Sequence, residues 1–210
     1  MLTPKQSKPH NITDDMVITA TNYMQSDREF DELYPEQIRR IGLRHWTPIH
    51  IAKLAIAFLA DENAKILDIG SGVGKFCLAA GYYAPHVDIV GVEQRRYLIN
   101  HGIRAQQQLG LDNVSFIHKN FTQINFHDYT HFYFFNSFFE NINDIDRIDE
   151  TIDYSEALYD YYVRYLYKAL QEMPKGTKVA AYHTLDYEIP GSYRLVEKHA
   201  EDRLKFWIKG

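Results

Sequence analysis

The chain has 210 residues, a formal charge of −5 at neutral pH and 45% apolar residues, which suits one domain with a buried core that needs neither disulfide nor metal. The lone cysteine, Cys77, excludes an internal disulfide and fits a reducing compartment. A polar opening (MLTPKQSKPHN) and the lack of any ~18-residue apolar run point to a cytoplasmic protein without membrane contact, and the missing Lys/Arg block weighs against nucleic acid.

In chain order, Thr13 can cap a helix from Asp14 to about Gln25. Ser26 and Glu29 then have capping-box spacing. Pro35 suits the first turn of a helix through Ile38 and Ile41, which Gly42 can close. Thr47-Pro48 reads as a cap and a first-turn proline, before Ile49, Ala52, Ala55, Phe58 and Leu59 recur at helical spacing. From Lys65 the pattern alternates. Strands are predicted at Lys65 to Ile69, Val87 to Val92, Val114 to Ile117, His131 to Phe135 and Lys178 to His183. Helices are predicted from Lys75 to Tyr83, with Cys77 in the core, from Arg95 to Leu109 and from Tyr154 to Leu170. Tyr193 to Lys198 and Leu204 to Ile208 form a closing pair. Such alternation implies a doubly wound, mainly parallel α/β sheet. Its ligands would sit beyond the carboxyl ends of the strands.

The strongest chemical signal is Asp68-Ile69-Gly70-Ser71-Gly72-Val73-Gly74, directly after the first strand. Glycines there let a backbone approach a ligand, and the next helix offers free amides. A phosphate-binding P-loop needs four residues between its glycines and a Ser or Thr after the lysine; here three residues intervene and Phe76 follows Lys75. A dinucleotide fingerprint needs its third glycine where Lys75 stands.

The stretch KILDIGSGVGKFCLAA resembles the first motif of class I S-adenosylmethionine-dependent methyltransferases. The resemblance covers about residues 45–210 and implies a seven-stranded, Rossmann-like sheet, with residues 1–44 as an N-terminal helical cap that helps recognise the acceptor. It implies S-adenosylmethionine as cofactor, bound through Asp68, Gly70, Ser71, Gly72 and Gly74. Glu93, ending the second strand, would take the ribose hydroxyls, a role that NAD enzymes also give to this position. Asn120, after the third strand, stands where relatives touch the adenine. Met173-Pro174-Lys175-Gly176 looks like the turn before the family's fifth strand. Thr47, with His45 and Trp46, lies on the loop that in relatives passes over the methionine end.

The fourth strand ends Phe135-Asn136-Ser137-Phe138-Phe139. It is similar to the Asn-plus-aromatic segment of amine methylators, and more weakly to that of the non-SET histone lysine methyltransferases. The resemblance makes Asn136 and Phe139 the catalytic candidates, with Asn136 orienting an amine and Phe139 offering an aromatic face. His183 ends the fifth strand within reach of the same mouth. His127 and His131 span a loop and a strand, and Asp144 to Glu150 lacks the glycine of a calcium loop, so no metal is expected. That acidic stretch reads as a solvated connector. The expected activity is N-methylation of an amine on a protein or small molecule. A non-catalytic nucleoside-binding module and an NAD-dependent oxidoreductase are the alternatives.

Overall fold

The computed structural model describes residues 20–143, 145 and 147–210; the Thr13 cap and most of the helix expected after it lie outside them. Residues 20–23 are helical, and α1 (Asp27–Asp31), α2 (Glu36–His45) and α3 (Ile49–Leu59) follow them. Then β1 (Lys65–Ile69), α4 (Lys75–Tyr83), β2 (Asp88–Glu93), α5 (Arg96–Leu109), β3 (Val114–His118) and β4 (His131–Phe135) alternate. After α6 (Glu156–Glu172) and β5 (Lys178–Tyr182), the hairpin of β6 (Tyr193–His199) and β7 (Leu204–Lys209) closes the chain. The seven strands lie in the order β3-β2-β1-β4-β5-β7-β6. All pairings from β3 to β5 are parallel, and β7 runs antiparallel between β5 and β6.

Alternation along the strands sorts the core into two layers. Ile66, Ile89, Tyr133 and Ala180 belong to one buried cluster with α3, α4 and α5, while Leu67, Val92, Phe134 and Val179 belong to a second with α6. The order reverses at β1, between β2 and β4. A crevice therefore opens at the carboxyl ends of β1, β2 and β4, where Gly70, Glu93 and Asn136 stand.

The N-terminal segment is built into this body. Phe30, Tyr34, Ile38 and Trp46 are buried in the same cluster as the first sheet face. Ser26 caps α1 by accepting from the Glu29 amide at 3.3 Å, one half of the expected capping box; the Glu29 carboxylate takes the Ser26 hydroxyl at 2.7 Å in place of the Ser26 amide. Two local expectations are corrected. Gly42 does not close α2, which runs three residues further to His45; a Cβ at Gly42 would lie 2.7 Å from the Trp46 ring, so the glycine makes room for the indole. Thr47 does not cap α3 either. Its hydroxyl pairs with Tyr133 Oη at 2.8 Å, and the Asp27 carboxylate accepts from the Ile49 amide instead, at 2.8 Å.

Candidate functional site

The turn after β1 places Gly70 and Gly72 in left-handed backbone, at φ 75° and 56°. A Cβ on Gly70 would sit 2.9 Å from Ser137 Cβ, so only glycine lets the β4 turn come this close. Ser137 Oγ donates to Ile69 O at 2.5 Å and fastens that turn to the glycine loop. A Cβ on Gly72 would meet nothing within 4 Å, because the backbone there borders open space. That space is a cleft of about 340 Å³, lined by Gly70, Gly72, Glu93, Asn120, Asn136 and Phe139 among others. Its volume lies within the range of small-molecule sites.

Glu93 is the cleft's buried carboxylate, only 5% exposed. Its Oε2 accepts from the Gly72 amide at 3.2 Å and its Oε1 from the Arg95 amide at 2.8 Å. Burial raises this carboxyl above its ordinary value, against the pull of the Arg95 guanidinium and the two amides. One hydrogen bond per oxygen leaves lone pairs for further donors. A ribose diol fits that remaining capacity, and the open face of Gly72 leaves room for it.

Arg95, absent from the sequence-based candidates, organises the other wall. Its Nη2 pairs with Glu140 at 2.6 Å and donates to Tyr154 Oη at 2.7 Å, its Nε reaches Asp149 at 3.3 Å, and its Nη1 lies 3.7 Å from Glu93. Tyr97 donates to the other Asp149 oxygen at 2.6 Å. The segment between β4 and α6 is thereby drawn over the cleft: the acidic stretch expected to be a solvated connector supplies one cleft-lining residue, Ile148, and Ile152 just beyond it supplies another. One sequence signal could have found Arg95. A cation at a helix N-terminus opposes the helix dipole, so an Arg there needs carboxylates from elsewhere.

Not every expected residue reaches the cleft. Asn120 does, but its amide is committed: it donates to Tyr162 Oη at 2.8 Å and Gln94 at 3.2 Å and accepts from the Thr122 amide at 3.0 Å. Asp68 lies behind the glycine loop, 3% exposed, and accepts from Cys77 Sγ at 3.2 Å. Burial pushes its carboxyl up to about 7, with the Cys77 hydrogen bond opposing and the Glu93 charge adding to the rise. Thr47 is buried on Tyr133, Ser71 Oγ faces Gly91 of β2, and Gly74 lies under the Phe116 ring. Asn136 and Phe139 both line the cleft, as do His45, Trp46 and His183. The Asn136 carbonyl accepts from the Phe139 amide at 3.1 Å, while its side-chain amide makes no hydrogen bond among the described residues.

A doubly wound sheet in this order, with a glycine loop after β1 and a buried carboxylate ending β2, defines a Rossmann-like nucleoside site. The chain belongs to the family described as "Methyltransferase domain", which matches residues 60–200, and its fold class is that of the class I S-adenosylmethionine-dependent methyltransferases. Among curated proteins it is similar to "Ribosomal RNA small subunit methyltransferase G" of Streptococcus pyogenes serotype M12, 37% identical over 68 residues; the match spans 32% of this chain and 29% of that protein. Among solved structures it shares its fold with TrmN from Thermus thermophilus (TM-score 0.61, 16% identity, 82% of this chain and 52% of that one). It also shares it with an RNA methyltransferase from Salinibacter ruber in complex with S-adenosyl-L-homocysteine (TM-score 0.53, 17% identity, 77% of this chain and 90% of that one).

S-adenosylmethionine supplies, when bound, a methyl group on a positively charged sulfur. Of this chain's residues, Glu93 would hold its ribose, Gly70 and Gly72 would border it, and the committed Asn120 amide would shape the wall near its base.

Proposed function

We propose that the chain transfers a methyl group to the nitrogen of an amine, on a protein or small molecule, that enters between Asn136 and Phe139. The observation that carries this reading is the uncommitted Asn136 carboxamide at the cleft, on backbone held at φ 45° by the turn that follows β4. Its oxygen can accept from an acceptor N–H and fix the direction of the nitrogen lone pair. The Phe139 ring supplies surface and a π-face to the group carrying that nitrogen. Positioning of this kind, with water excluded, provides much of the acceleration of a displacement reaction.

The test begins with labelled cofactor and a panel of lysine-rich proteins, small amines and total RNA. Asn136→Ala should keep cofactor affinity and slow single-turnover transfer about 10²–10³-fold, the usual loss for one preorganised hydrogen-bonding group. Wild-type turnover in the variant would make Asn136 a turn residue only. A second reading, in which the amine belongs to an RNA base, is favoured by the similarity to a ribosomal RNA methyltransferase and an RNA methyltransferase and by Arg44 and His45 at the cleft. Label appearing in RNA and not in protein or small amines decides for it.

A further inference from the structure

Resting on the reading of an N–H acceptor, we propose that His183 is the general base that takes the acceptor's proton during methyl transfer. Asn136 and His183 are both non-glycine residues in left-handed backbone, at φ 45° and 56°. They are also neighbours. β4 and β5 pair with Phe135 opposite Tyr182, so Asn136 and His183 are the next residues off adjacent strands, and both line the cleft. Backbone outliers of this kind persist only where the surroundings hold them, and they cluster at functional sites.

The surroundings of His183 do hold it. Its amide donates to Arg203 O at 2.8 Å. Its ring stands nearly edge-on to Tyr182 at 4.4 Å between centroids and lies 5.6 Å from Phe135. No hydrogen bond among the described residues occupies either ring nitrogen, so the imidazole is oriented by packing and keeps its polar atoms for a visitor. The cleft's two carboxylates are engaged elsewhere: Glu93 by two amides and Arg95, Glu140 by Arg95, Tyr154 and the Ile148 amide. The groups facing the ring are Arg203 from the β6–β7 turn, the Tyr182 phenol beside it and the uncharged Phe135 from β4. Burial, then the Arg203 charge, lower the imidazole below its ordinary value, which leaves it neutral at pH 7 with a lone pair to offer.

The step balances on that lone pair. The acceptor nitrogen forms the new N–C bond with its own electron pair, and the S–C pair stays on sulfur, cancelling its positive charge. One N–H proton passes to the imidazole, which becomes imidazolium and later releases it to water.

His183→Asn tests this, because asparagine tolerates left-handed backbone and the fold is spared. Calorimetry with S-adenosylhomocysteine should give unchanged affinity. Single-turnover transfer should slow about 10²-fold, the usual contribution of a positioned base. The wild-type rate should fall as pH drops through the histidine's titration, and that limb should vanish in the variant, with added imidazole restoring part of the rate. Ring-proton NMR of the S-adenosylhomocysteine complex should show His183 titrating below 6.5. An active wild type whose His183→Asn variant matches it in rate and pH profile overturns the base alone. A wild type that methylates nothing on the panel overturns the transfer reading and the base with it.

Discussion

Glu93 combines two duties that a single substitution can separate. Its carboxylate holds the Gly72 and Arg95 amides and keeps lone pairs toward the cleft. Glu93→Gln keeps an acceptor for one amide, whereas Glu93→Ala keeps none and leaves Arg95 short of one counter-charge. Charge-assisted hydrogen bonds are worth about 1.5–3 kcal/mol each, so Glu93→Ala should weaken S-adenosylmethionine binding at least about tenfold by calorimetry. Wild-type affinity in a folded variant would remove the ribose assignment. Asp68 makes a different prediction. Its folded-state carboxyl titrates at about 7, above the ~3.9 of an unfolded chain, so the folded state holds that proton more tightly. The stability this contributes is complete below about pH 4 and is lost as pH rises through 7. Asp68→Asn keeps an acceptor for the Cys77 thiol and removes the titration. Between pH 4.5 and 8 the variant should lose less stability than wild type in urea unfolding, by up to about 3 kcal/mol at 1.36 kcal/mol per pH unit. Parallel stability curves would show that Asp68 does not titrate in this window.

At the scale of elements, the strands and the longer helices were legible because each follows from local periodicity and punctuation. Gly110 ends α5 in left-handed backbone, as a C-terminal glycine should, and the Pro174–Gly176 turn precedes β5. β1, α4 and β4 begin at the residues their patterns predict. What was not legible is tertiary. Gly42 looks like a stop signal until Trp46 folds back on it, and Thr47 looks like a cap until Tyr133 takes its hydroxyl. Arg95 lies 45 or more residues before Glu140, Asp149 and Tyr154, and only folding brings it to them, so this part of the cleft wall left no contiguous motif. The glycine loop, Glu93 and the Asn136 turn were legible because each is a short motif at a strand end. The clamp between α1 and α4 belongs to the illegible kind as well. Lys75, 4% exposed, pairs with Asp27 at 2.8 Å and Asp31 at 2.7 Å, with its ammonium 5.3 Å from the Phe30 ring centre. Lys75→Met should cost on the order of 2 kcal/mol, less than a fully buried pair because Asp27 is half exposed. Hydrogen exchange should accelerate in α1 and α2 while β1 and β4 stay protected. Uniform exchange across the chain would mean that the clamp does not hold α1 as a unit.

Over the whole molecule, the N-terminal segment and the sheet share one core. Tyr34 donates to Val73 O at 3.0 Å, Arg44 reaches Ile145 O at 3.1 Å, and Phe30 and Trp46 are buried with α3 and α4. Removing residues 1–44 would strip the glycine loop of its backing, so the truncated chain should melt earlier and bind S-adenosylmethionine more weakly. A truncation with wild-type melting and affinity would establish the segment as a separable unit. The Arg95 side chain gives the molecule one more property. It pins the crossing from β4 to α6 at two pegs, Glu140 before the bend and Asp149 with Tyr154 after it. Between pegs, lengthening a loop is cheap, since each doubling adds only about 0.6 kcal/mol of closure entropy. The donor side and this bight therefore meet at one arginine, which also stands beside Glu93, so a change of length between the pegs loads the loop while the floor that borders the nucleoside space keeps its hold.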